Sequence, residues 1–139
     1  MELFEYLDQS SIGSIEYPDM KVWHFVMHEN RIKAIDFDDA TTLEPLCPNA
    51  TNNTINPAMP GSECIYQLPC VDNRCVGYNA KLNMIRFDQT FSHLLFPKED
   101  CDHIPSLAHL VHELRRWRCT ATKLKTELLT ILSELGKVK

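Results

Sequence analysis

Apolar residues recur at alternating spacings of three and four through the last third of the chain: Leu107, Leu110, Leu114, Trp117, Ala121, Leu124, Leu128, Ile131 and Leu135. Only an α-helix gathers such a series into one stripe, because three and four residues bracket its turn. Pro105 suits a first helical position, Asp102 or His103 is a candidate cap, and Gly136 suits the position just past the end. Residues 104–135 therefore read as one long helix or two. A single helix from 105 to 135 would be about 46 Å long, more than a small sheet can cover. The pattern thus predicts either a protruding end or a break near Cys119-Thr120. A leucine seam interrupted by Trp117 and Ala121 favours packing on an uneven surface over a regular two-stranded coil.

Upstream the period changes. Lys21 to His28 (KVWHFVMH) is β-branched and aromatic, with Trp23, Phe25 and Met27 alternating against Val22, His24, Val26 and His28. Glu29-Asn30 suits a tight turn, and Arg31 to Phe37 (RIKAIDF) runs back as a second strand, which makes a β-hairpin. Residues 63–68 and 78–87 (YNAKLNMIRF) are further strand candidates, joined by a turn over 69–77. Residues 1–20 read as a short helical turn and a linker. Residues 38–62 carry four prolines among Asn and Thr and read as a flexible insertion. A chain of 139 residues holds one hydrophobic core. The expected architecture is a single α+β domain over 1–139, with about four antiparallel strands packed by the long C-terminal helix.

Charge and cysteine usage narrow the function classes. Residues 1–102 hold 7 basic and 16 acidic residues and residues 103–139 hold 7 and 3, so an acidic body (−9) carries a basic tail (+4). Net acidity speaks against direct nucleic-acid binding, which needs a basic surface. No apolar run approaches the ~20 residues of a membrane span. The acidic start MELFEYLDQS is unlike a signal peptide, so an intracellular, reducing setting is expected, with free thiols at all six cysteines. On that expectation the glycosylation patterns at Asn49 and Asn52 carry no weight. Cys64, Cys70 and Cys75 are too widely spaced for a zinc knuckle. His109 and His112 lie one helical turn apart but lack the metalloprotease order, and Asp36, Asp38 and Asp39 read as a solvated loop start. With four glycines, no phosphate loop and no nucleophile elbow, the expectation is a non-catalytic chain without metal or cofactor. It would bind other proteins through large amphipathic groups.

The succession KVWHFVMHENRIKAIDF, YNAKLNMIRF, IPSLAHLVHELRRW and KLKTELLTILSEL resembles the degenerate C-terminal RWD module of the kinetochore-null (blinkin) family of outer-kinetochore scaffolds. The Tyr-Pro-x-x-x-Pro signature of ordinary RWD domains is absent, and Phe96-Pro97 with Pro105 is its nearest counterpart. The resemblance implies a nuclear module that docks the scaffold at the centromere onto a Mis-type complex by receiving a peptide or helix. The contact residues expected on physical grounds lie at the sheet edge and beside the long helix: Trp23, Phe25, Leu114 and Trp117, with Leu124 and Leu128 for a partner helix or self-association. DMKVWHF is similar to a segment of the self-association domain of LIM-domain-binding transcriptional cofactors, which implies homodimerisation as the alternative.

Overall fold

A computed structural model describes residues 1–29, 31–47 and 64–136. The described chain is a mixed α+β assembly of five helices and two antiparallel sheets of two strands each. In order come α1 (Glu2–Asp8), β1 (Phe25–His28), β2 (Arg31–Ala34), β3 (Cys70–Val71), β4 (Arg74–Cys75), α2 (Tyr78–Leu95), α3 (Lys98–His103), α4 (Pro105–Arg115) and α5 (Ala121–Glu134). A four-stranded sheet is not present among these residues. Residues 48–62 of the expected insertion, including Asn49 and Asn52, lie outside the described residues, as does Asn30 of the expected turn.

The largest departure from the sequence reading is residues 78–87, expected as a strand and found within α2. Asn79, Asn83, Met84 and Phe87 are buried, a spacing that makes one helical stripe. Two of the four are polar, so hydropathy hides the period. Each has a backbone partner: Asn83 accepts from Tyr17 N (2.8 Å) and donates to the Ile15 carbonyl (2.7 Å), and Asn79 donates to the Ser14 carbonyl (2.9 Å). The amides thereby stitch residues 14–17, the expected linker, along the helix. The first turn of α2 is capped from a distance. The Glu44 carboxylate accepts from the backbone N–H of Gly77, Tyr78 and Asn79, satisfying orphan donors and placing negative charge at the helix's positive end.

Of the two outcomes the length argument left open, a protruding end or a break, the C-terminal stripe shows a break between α4 and α5. Trp117 takes a left-handed backbone (φ 58°), and its carbonyl accepts from Lys81 Nζ. Thr120 then caps α5 by accepting from Lys123 N (3.2 Å). Gly136, at φ 67°, ends that helix. The cap of α4 is Ile104, with Pro105 at its first position; Asp102 and His103 belong instead to α3. Once broken, the stripe closes on itself. Leu107, Leu110, Leu114, Ala121, Leu124 and Ile131 are buried in one cluster with Phe4 and Leu7 of α1 and Met84 and Phe87 of α2. The core is thus helix on helix, with the β1–β2 hairpin on its flank. No helix among the described residues is long and apolar enough to cross a membrane.

Candidate functional site

An isolated two-stranded hairpin is marginal in water, so the β1–β2 hairpin must be fixed at its root. Phe25 packs edge-on against Phe91 of α2 (centroids 4.8 Å) and near Tyr17 (6.1 Å). The buried Tyr17 hydroxyl donates to the Ile35 carbonyl (2.7 Å), and Tyr17 stacks on Phe37 (4.8 Å). Burial, reinforced by Asp36 and Asp19, pushes the Tyr17 phenol above its ordinary pKa, so it stays a donor. His24 completes the clasp. Its Nδ1 donates to the Asp19 carbonyl (2.8 Å), while Nε2 faces Asp36 Oδ2 (3.5 Å). Asp36 reaches that position through a left-handed backbone (φ 66°). Asp19, His24 and Asp36 have the donor set of a cation site. Lys21 already neutralises Asp19 (2.7 Å) and Nδ1 is occupied, so the trio reads as a structural clasp.

Beyond the root the hairpin overhangs. Its register sets Phe25 opposite Ala34 and Met27 opposite Ile32, so these four share one face. The first pair packs on the body; the second does not. Met27 and Ile32 are 68% and 65% exposed, and Trp23, in a 3-10 turn just before β1, is 71% exposed with Lys21 Nζ over its ring. Val26, His28, Arg31 and Lys33 lie on the other face and are also exposed. Among the described residues this sheet is β1 and β2 alone, so each strand has an unpaired outer edge. A second apolar surface, a cleft of about 540 Å³, is lined by Leu3, Tyr6, Ile12, Ile15, Phe37 and Thr42 among others.

The residues expected to meet a partner separate into two groups. Trp23 and Trp117 are accessible, the latter at 42% with its ring edge-on to Tyr66 (5.5 Å). Leu114 (1% exposed) and Leu124 are core residues, while Phe25 and Leu128 are half-buried against that core. The six are not brought together: Trp23 and Phe25 stand at the hairpin, and the rest sit on α4, α5 and the turn between them. Of the two residues expected to serve self-association, Leu124 is fully buried and Leu128 half-buried, while the leucines that α5 and its cap expose are Leu129, Leu132 and Leu135. The sequence reading passed over Met27 and Ile32 as contact residues, although hairpin register alone pairs them.

The cysteines are not all free thiols. Cys47 is bonded to Cys70 and Cys64 to Cys75, leaving Cys101 and Cys119 unpaired. What sequence spacing concealed is the β3–β4 hairpin within the expected turn. Asp72 and Asn73 both take positive φ, the two-residue turn that matches strand twist, and they set Cys70 opposite Cys75. His109 and His112 join no metal-capable cluster among the described residues. No family model, curated protein or solved structure matches the chain.

Proposed function

We propose that the chain is a non-catalytic protein-interaction module whose docking surface is the overhanging part of the β1–β2 hairpin, and that its partner is an extended segment alternating apolar and acidic residues. The observation that carries this reading is the exposed Met27–Ile32 pair beside unpaired strand edges. An exposed apolar edge strand is a template for pairing with another chain, and strand addition supplies affinity through the backbone and specificity through alternate side chains. Along β2 the alternation is Arg31, Ile32, Lys33. A strand laid there meets cations on one face and an apolar residue on the other. The same charges oppose a second copy pairing β2 on β2, since Arg31 and Lys33 would be duplicated across the junction. This disfavours homodimerisation through β2.

Docking of an outer-kinetochore scaffold onto a centromeric Mis-type complex is the narrower form of the proposal, and its support is the sequence resemblance. It is tested by co-purification of Mis-complex subunits that is lost with Met27→Asp. Disulfides persist in oxidising compartments, so that setting requires the four bonded cysteines in reduced form. For the wider reading, fluorescence anisotropy with a labelled peptide alternating Val and Glu should show saturable binding. Binding should weaken by at least about tenfold with Ile32→Asp and with a Val/Lys peptide. Equal binding of both peptides, or no effect of Ile32→Asp, refutes the edge as the site.

A further inference from the structure

Two disulfides, Cys47–Cys70 and Cys64–Cys75, lie just before α2. Cys70 and Cys75 face each other across β3 and β4. Cys47 joins them because its N–H donates to the Asn73 carbonyl (3.0 Å) while Cys75 N donates to the Pro45 carbonyl (2.9 Å). Cys64 enters through a bridge to Leu68. The oxidised pairing sends each member of the cross-strand pair to an outside partner. Yet Cys47 and Cys64, not bonded to each other, have their Sγ atoms only 3.9 Å apart. The sulfurs of Cys47, Cys64 and Cys75 all lie within 4.8 Å of one another. A tetrahedral tetrathiolate centre with Zn–S of about 2.3 Å has sulfur–sulfur edges of about 3.8 Å. Among the described residues apolar packing here is scant: Leu68 and Tyr78 pack against the buried Cys47, Cys64 and Cys75. So small a cluster does not hold a fold by burial and depends on bonds between its sulfurs or through a metal.

We propose that, when reduced, Cys47, Cys64, Cys70 and Cys75 form a closed structural Zn²⁺ site, with Cys70 turning in to complete the cluster that the other three sulfurs already make. Cys70, the exposed member, is where a reductant enters. A phosphine converts each disulfide to two thiols and becomes its oxide with oxygen from water; Zn²⁺ then displaces the four thiol protons to give the tetrathiolate. Binding of this kind is folding free energy for the segment that supplies the ligands.

The test uses the whole chain, reduced anaerobically with a water-soluble phosphine and titrated with Co²⁺, then with Zn²⁺. The expected result is about one equivalent of Co²⁺ with the intense visible bands of a tetrahedral thiolate site, displaced by Zn²⁺. The oxidised chain should take up none, and Zn²⁺ should raise the melting temperature of the reduced chain. Cys101→Ser and Cys119→Ser should leave uptake unchanged. Cys64→Ser should abolish it, and Cys70→Ser, which disturbs little packing, should weaken it by at least about tenfold. Absence of tetrahedral Co²⁺ bands in the reduced chain, folded or not, overturns the proposal, as does uptake that survives both Cys64→Ser and Cys70→Ser.

Discussion

The two hairpins solve the same problem in opposite ways. β3–β4 has strands of two residues, a tight left-handed turn and almost no apolar support, and covalent bonds from both of its cysteines secure it. The strands of β1–β2 have four residues each, and aromatic packing and the His24 clasp hold it at the root alone. Bonding lets the first remain small and fixed. Anchorage at one end leaves the second with an exposed apolar pair and, among the described residues, unpaired outer edges. Exposure of Met27 and Ile32 is what the proposed docking surface rests on, and the bonded hairpin offers no such pair.

The comparison breaks most readily in the body that carries both hairpins. Leu124→Ala, at a fully buried position, should cost about 2–5 kcal/mol in urea unfolding; a loss near zero would mean that α5 does not close the core. Next in size is the covalent corner. Cys64→Ala in oxidised protein should cost about 2–4 kcal/mol and leave peptide binding at β1–β2 intact, whereas loss of binding would show that the hairpins are coupled. Asn83→Ala strips partners from Tyr17 N and the Ile15 carbonyl and should cost about 1–3 kcal/mol by the same unfolding measurement.

The unpaired thiols sharpen the contrast through pH. Burial pushes the Cys119 thiol up from 9.0 to about 11. The fold favours its neutral form, so the associated stability is fully present below pH 9 and lost as pH rises through about 11. Urea midpoints should fall across that window in the native sequence and stay flatter in Cys119→Ala. At neutral pH an alkylating reagent should reach Cys101, which is half-buried, well before Cys119. The smallest expected effect is the most pointed: Met27→Asp should change stability by no more than about 0.5 kcal/mol while removing peptide binding. A larger loss would make Met27 a folding residue.

Where hydrophobicity itself carried the period, the fold was legible. The stripe from Leu107 to Leu135, Pro105 and Gly136 could be read because leucine spacing and backbone propensity are local, and a break was one of the two outcomes its length allowed. So could the first hairpin, although a 3-10 turn takes Val22, Trp23 and His24 out of the first strand and the second ends at Ala34 rather than Phe37. Residues 78–87 were not, because Asn79 and Asn83 are polar side chains buried by partners some 65 residues away. Nor was the cap of α2, whose donor-satisfying Glu44 lies more than 30 residues upstream. Cysteine pairing was equally hidden, since it depends on how residues 45–47 lie along β4. Of the candidate site, the aromatic hairpin was visible, while its exposed pair emerged only once the core had chosen which residues to cover.

The central claim is that a partner strand adds to the free edge of the β1–β2 hairpin. Amide hydrogen exchange of the chain, alone and saturated with the Val/Glu peptide, tests it residue by residue. The account predicts new protection at alternate amides within residues 31–34, with the helices unchanged and the effect absent in Met27→Asp. Protection that appears instead on α5 or around the Tyr6 cleft, or none at the hairpin despite binding, would contradict it.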